Sequence, residues 1–185
     1  MELQPASPRQ KYNNNIDILK GKSIVQSDFQ YKIYNGEKND SNWISNQNID
    51  LTGIIIGGCL ECLMDLVGTD YDCTKSFIEK YKDDGIIWYF DIDYMTNEQL
   101  LRNLWHLNKL GWFKYVKCII FGRLEETSYT GITLNEAISR GLKNTSIPII
   151  TNFDLGHTYP RVTIINGSRV RLICNEHNRK IEIVD

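Results

Sequence analysis

An α/β fold with a β-rich tail is what this sequence predicts, on three observations. Apolar, β-branched runs recur along the chain at Leu51–Cys59, Gly85–Asp93, Tyr115–Gly122 and Ile147–Ile150, and each is closed by glycine, aspartate or a turn. Amphipathic helical patterns stand between them, two of them opened by capping boxes. Beyond about residue 160 the helical spacing stops, and alternating runs around an Asn-Gly turn replace it.

A chain of 185 residues has room for one domain with a real core and an appendage. The apolar fraction of 42% and net charge of -2 point neither to disorder nor to a polyanion-binding surface, so nucleic acid is not an expected partner. No run approaches the roughly 18 apolar residues that cross a bilayer. The start, Met1-Glu-Leu-Gln-Pro5, lacks the basic and apolar regions of a signal peptide, so a cytoplasmic protein with no membrane partner is expected. Five cysteines at irregular spacing fit reduced thiols. Cys59-Leu-Glu-Cys62 is a single Cys-x-x-Cys, and Cys73, Cys118 and Cys174 do not supply the second close pair that zinc wants. The expectation is two apolar thiols packed where a strand meets a helix, with redox or metal use as the alternative, and no cofactor.

In order, residues 1–48 are polar and rich in Asn, Lys and Ser, with Pro5, Pro8 and Asn13–Asn15, and read as a linker or extended arm. Ile16–Leu19 and Ser23–Val25 are the patches in it that could add a strand. The folded domain is placed at 49–185. Leu51–Cys59, closed by Gly57-Gly58, precedes Leu60, Leu63, Met64 and Val67 at helical spacing: strand, tight turn, helix. The glycine pair is read either as amides offered to an anion or as close strand-helix packing. A helix with Thr74 as N-cap follows to Tyr81, then the strand Gly85–Asp93. Thr96-Asn-Glu-Gln99 is a capping box, and Leu100, Leu101, Leu104, Leu107 and Leu110 trace one helical face to Gly111 as C-cap. Thr133-Leu-Asn-Glu136 caps a short helix to about Leu142. Last, Val162–Ile165, Asn166-Gly167 and Arg169–Ile173 read as a two-residue-turn hairpin, with Lys180–Val184 a further strand.

Chemistry points to two places. Of three histidines, His106 lies in the long amphipathic helix and His177 in a polar loop, while His157 follows the strand ending at Ile150 in the turn Asp154-Leu-Gly-His157. A side chain there can face a cleft, and imidazole titrates near neutrality, so His157 is the candidate general base; a histidine capping a turn is the plainer reading. Asp91 closes an apolar strand, where an unpaired carboxylate is costly, so a partner is expected for it; Asp93 fits a turn cap.

Leu51–Cys59, Val67-Gly-Thr69, Gly85–Asp91, Leu104–Gly111, Cys118–Gly122 and Asp154–His157 occur in an order that resembles the C-terminal domain of the LD-carboxypeptidase family, to which the microcin C7 self-immunity proteins also belong. The resemblance implies a compact β/β/α (swivelling-type) domain over about 50–185. It also implies a Ser-His-Glu peptidase whose serine sits on an elbow in an N-terminal domain, with the histidine falling on His157 and the glutamate on Asp91. Aspartate for glutamate shortens the acid by one methylene, and aspartate fills this role in other triads. No Gly-x-Ser-x-Gly elbow occurs in these 185 residues, and Ser7 lies between Ala6 and Pro8.

The leading expectation is therefore the C-terminal domain, or a truncated form, of an LD-carboxypeptidase-like serine peptidase, inactive until a nucleophile domain completes it. Its implied partners are a murein tetrapeptide or a peptidyl-nucleotide as substrate, together with an N-terminal nucleophile domain or a second copy in a homodimer. A catalytically inactive binding module with the same fold is the second expectation, and a thiol redox or metal protein built on Cys59 and Cys62 the third.

Overall fold

A computed structural model describes residues 23–25, 32–34, 48–122, 127–143, 146–153, 155–157, 162–175 and 179–184. Its elements are β1 (Ser23–Val25), β2 (Lys32–Tyr34), β3 (Ile49–Cys59), α1 (Leu60–Leu66), α2 (Thr74–Lys80), β4 (Ile86–Asp91), α3 (Asn97–Leu110), β5 (Val116–Gly122), α4 (Leu134–Gly141), β6 (Ile149–Phe153), β7 (Arg169–Cys174) and β8 (Arg179–Ile183). The strands form one sheet in the order β1-β8-β7-β3-β4-β5-β6-β2. The central four, β3 to β6, are parallel. β7 and β8 extend the sheet antiparallel on one side, and β1 and β2 close its two edges antiparallel.

Parallel strands joined through helices must be buried on both faces, which is why β4 reads as an almost unbroken apolar run. Ile86, Trp88 and Phe90 face the helices, packing with Leu60 of α1, Ile78 of α2, Leu100, Leu104 and Leu107 of α3 and Ile138 of α4. Ile87 takes the opposite face with Ile55, Cys118 and Ile120. Val170, Leu172 and Ile181 of β7 and β8 share this face within the same sheet, and Leu155 and Val162 pack with them. The α/β class is as expected, with helices packed on one face and the C-terminal strands extending the sheet.

The helix with the clearest local signals forms where they place it. Thr96 Oγ1 accepts from Gln99 N–H at 3.3 Å while Gln99 Oε1 accepts from Thr96 N–H at 2.9 Å. Gly111 ends the helix in the left-handed region at φ 83°. Thr133 and Glu136 make the same reciprocal cap on α4. Ser23–Val25 does add a strand; Lys32–Tyr34 adds another that no alternation announced, and Ile16–Leu19 lies outside the described residues.

Three expectations are corrected. Thr74 is not an N-cap: α2 already includes it, and Asp72 Oδ1 accepts its N–H at 3.1 Å. The glycine pair is not a turn, because β3 runs through it to Cys59. Gly57 is needed for contact between strands, since a Cβ there would lie 1.8 Å from Tyr89 O. Its amide is not on offer to an anion, being held by Asn166 Oδ1 at 3.0 Å while Asn166 Nδ2 donates to Gly57 O at 3.0 Å. This clip also explains the third difference. Val162–Ile165 is not a strand folded back on β7, because the turn at Asn166-Gly167 continues the edge of β3, with Gly167 N–H on Ile55 O at 2.8 Å. The antiparallel pair is instead β7 with β8.

Candidate active site

Side chains alternate along β4, so Asp91 follows Ile87 and Tyr89 onto the face away from the helices. The chain leaving β6 passes that same edge. Gly156 crosses directly over the carboxylate at φ 95°, where a Cβ would stand 1.8 Å from Asp91 Oδ1. Only glycine fits the approach and the dihedral together. The next residue is His157, whose Nδ1 lies 2.6 Å from Asp91 Oδ2 and whose backbone N–H donates to Asp91 Oδ1 at 3.3 Å. The strand-ending aspartate and the turn histidine, 66 positions apart, are thus brought together as expected.

Both carboxylate oxygens of Asp91 are engaged, and its side chain is only 11% exposed, whereas the imidazole is 52% exposed. A carboxylate facing Nδ1 takes the proton-bearing nitrogen, so the neutral ring keeps its lone pair on Nε2. The arrangement is an imidazole held by a buried carboxylate, half exposed at the edge of the sheet. It sits at the carboxyl ends of parallel strands, where such sheets place their ligand sites.

Two further groups support this edge, and neither was singled out in the sequence. Glu61, in the first turn of α1, accepts from the N–H groups of Asp93 and Tyr94 through Oε1, at 3.1 and 3.2 Å, fixing the chain as it leaves β4. Its Oε2 accepts from Cys59 Sγ at 3.2 Å. Those amides lie 32 and 33 positions away, so no local spacing could report them. Tyr89, half-buried beside Gly57, has its phenol pushed up by burial and by the Asp91 charge, against the pull of its hydrogen bond with Asn166. Asn166 therefore ties Tyr89 to the backbone of β3 beneath the site.

The other candidates lie elsewhere. His106 is exposed on α3 and borders a groove of about 700 Å³ with Glu61, Met64, Tyr94 and Trp105, a groove that contains neither Asp91 nor His157. Asp93 is exposed, and its N–H is held by Glu61 rather than its side chain capping a turn there. His177 lies outside the described residues. Among the described residues, no group of three or more His, Cys, Asp or Glu could hold a metal, and no helix is long and apolar enough to cross a membrane. The packed-thiol expectation fails for Cys62, which is exposed while Cys59 is half-buried. Leu60 is fully buried and Leu63 packs against the same core, so Cys62, between them on α1, turns outward.

Residues 52–172 match the family model described as the LD-carboxypeptidase C-terminal domain. The protein named "Putative carboxypeptidase YocD" of Bacillus subtilis (strain 168) is 36% identical over 122 residues, 65% of this chain and 35% of that one. Among solved structures, muramoyltetrapeptide carboxypeptidase from Oxalobacter formigenes aligns with a TM-score of 0.59 and 23% identity, covering 84% of this chain and 50% of its own. The microcin C7 self immunity protein MccF, in complex with aspartyl sulfamoyl adenosine, aligns at 0.62 with 19% identity, covering 98% and 57%. At those identities the two structures speak for the fold. The chain spans about a third of the curated relative's length and about half of each solved one. With its matched segment running from the middle of β3 into β7, the chain belongs to the LD-carboxypeptidase family, and the matched part is that family's C-terminal domain.

Proposed function

We propose that residues 49–185, with 1–48 as an arm, supply the base and the orienting acid of a Ser-His-Asp peptidase whose serine comes from a separate or fused nucleophile domain. The observation that carries this is the 2.6 Å contact between His157 Nδ1 and Asp91 Oδ2 beside a half-exposed ring. His157 Nε2 takes the serine proton as Oγ attacks the amide carbonyl, and Asp91 stabilises the imidazolium that results. His157 then gives that proton to the departing amine. Water, deprotonated by the same nitrogen, next releases the acyl group and regenerates the serine. The family match and the carboxypeptidase relatives favour an L,D-amide substrate, a murein tetrapeptide in the first instance. The complex of MccF with aspartyl sulfamoyl adenosine makes a peptidyl-nucleotide the second substrate to try.

The test is hydrolysis of an L,D-tetrapeptide by the chain alone, then with the serine-bearing domain of a relative, fused or added. The chain alone should show no turnover, because a base and a carboxylate without nucleophile and oxyanion donors do little. The completed protein should turn over. His157→Ala should then cost about 10⁶-fold in kcat, and Asp91→Asn less, on the order of 10⁴-fold. Hydrolysis by the chain alone would overturn the assignment of the nucleophile. Inactivity of a well-folded completed protein would favour a binding module that keeps the fold without the chemistry.

A further inference from the structure

The Cys59-Leu-Glu-Cys62 pair is not used by the peptidase reading, and its placement is unusual for two structural thiols. Cys59 is the last residue of β3 and the residue before α1, and Cys62 lies in the first turn of that helix. Cys59 is the extended N-cap and Cys62 the third residue of the helix, so the two sulfurs stand at one strand-to-helix junction, three positions apart. A disulfide needs roughly 3.5–4.5 Å between Cβ atoms, which a shift in the seven-residue helix at that junction supplies. Cys59 Sγ donates to Glu61 Oε2 at 3.2 Å, and Glu61 is the residue next to Cys62, so the Cys59 thiol lies along the same first turn that carries Cys62. Cys62 is exposed, and Cys59 is half-buried.

We propose that Cys59 and Cys62 are a peroxide-responsive dithiol that closes to a disulfide at the start of α1. The two sulfurs have different parts. Cys62, open to solvent, gives its proton to water and attacks the peroxide as the thiolate: an S–O bond forms, the O–O bond breaks, Cys62 becomes the sulfenic acid, and the departing hydroxide takes up the proton from solvent to leave as water. Cys59 is held as a thiol, pushed up to about 11 chiefly by burial, with the Glu61 carboxylate adding to it. It therefore waits as the resolving partner. When its sulfur attacks the sulfenic acid, its proton passes to Glu61 Oε2, 3.2 Å away, and on to the departing hydroxide. The S–S bond forms, the S–O bond breaks, and the sum is two thiols and one hydroperoxide giving one disulfide and two waters. The dithiol is independent of the peptidase reading, since it needs neither a nucleophile domain nor turnover. It nonetheless lies beside that site, because Cys59 is the register partner of Asp91 and Glu61 holds the chain that leaves Asp91.

The test is to treat the reduced chain with a small excess of hydrogen peroxide, titrate thiols and map the peptides by mass spectrometry. The free-thiol count should fall from five to three per chain, with Cys59 and Cys62 linked, the mass lower by two hydrogens, and dithiothreitol restoring both. Cys62→Ser should keep the Cys59 thiol through the same treatment. Cys59→Ser should instead gain oxygen at Cys62, as sulfenic and then sulfinic acid, for want of a resolving thiol. Glu61→Gln should still form the disulfide, more slowly and with more sulfinic acid. Overturning results are Cys59 and Cys62 both remaining alkylatable, or a disulfide from Cys62 to Cys73 or to a second chain.

Discussion

Gly156 decides whether the candidate site exists, although it carries no chemistry. A methyl group there would meet the Asp91 carboxylate at 1.8 Å on a backbone at φ 95°, so Gly156→Ala must displace either the loop or the acid. We expect a stability loss of about 1–3 kcal/mol in urea unfolding, from left-handed strain and the clash together, and a His157 ring signal that no longer depends on Asp91. Asp91→Asn separates geometry from charge. An Asn amide can turn its N–H toward Nδ1, which moves the ring proton to Nε2 and removes the base's lone pair. Ring ¹⁵N shifts should report that change of tautomer, and an unaltered His157 spectrum would contradict the pairing.

Among the elements, α3 and α4 meet so closely that a small residue is required. A Cβ on Gly141 would lie 2.8 Å from Leu104 Cβ and 3.0 Å from Leu101 O, neither of which can swing away. Gly141→Ala should therefore destabilise the domain by roughly 1–3 kcal/mol in thermal or urea unfolding despite alanine's better helix propensity. At the start of α3, Glu98 anchors the next loop: its Oε1 accepts from Ser128 Oγ at 2.6 Å, Thr130 Oγ1 at 2.7 Å, Thr130 N–H at 2.9 Å and Tyr129 N–H at 3.0 Å. The hydroxyls of Ser128 and Thr130 hold its carboxyl well below the ordinary range. A carboxyl depressed on folding stabilises fully above its unfolded value, about 4.3 for Glu, and loses that contribution as pH falls toward the folded value. Protection of the Tyr129 and Thr130 amides, taken relative to their intrinsic exchange rates, should fall as pH drops below about 4.3. Glu98→Gln should remove that acid step and leave those amides less protected at neutral pH.

Across the whole molecule, the parallel centre of the sheet sets where function can sit. Cys59 and Asp91 come side by side at the carboxyl edge because β3 and β4 are in register from Ile54 with Ile86 onward, and β6 delivers His157 to the same edge. Helices fill one face and Leu155 and Val162 pack on the other, while Asp91 and His157 meet at the carboxyl edge. Activity of the completed protein, dependent on His157, is the outcome expected at this scale.

What the sequence determined by itself was local. Reciprocal caps at Thr96 and Thr133, leucines spaced along α3 and the left-handed glycine at 111 each involve residues within about four positions, so their signals survive without tertiary contacts. The apolar run ending in Asp91 and the turn ending in His157 were legible in the same way, one as a carboxylate in need of a partner and the other as a candidate base beyond a strand's end. The tertiary structure decided who meets whom. The Asp91–His157 contact, the Asn166 clip on Gly57 that displaced the expected hairpin, and the hold of Glu61 on the amides after β4 span 66, 109 and 32 positions. Each depends on strand order and register, which are set by burying two faces of one sheet at once, and no short window of residues contains that condition.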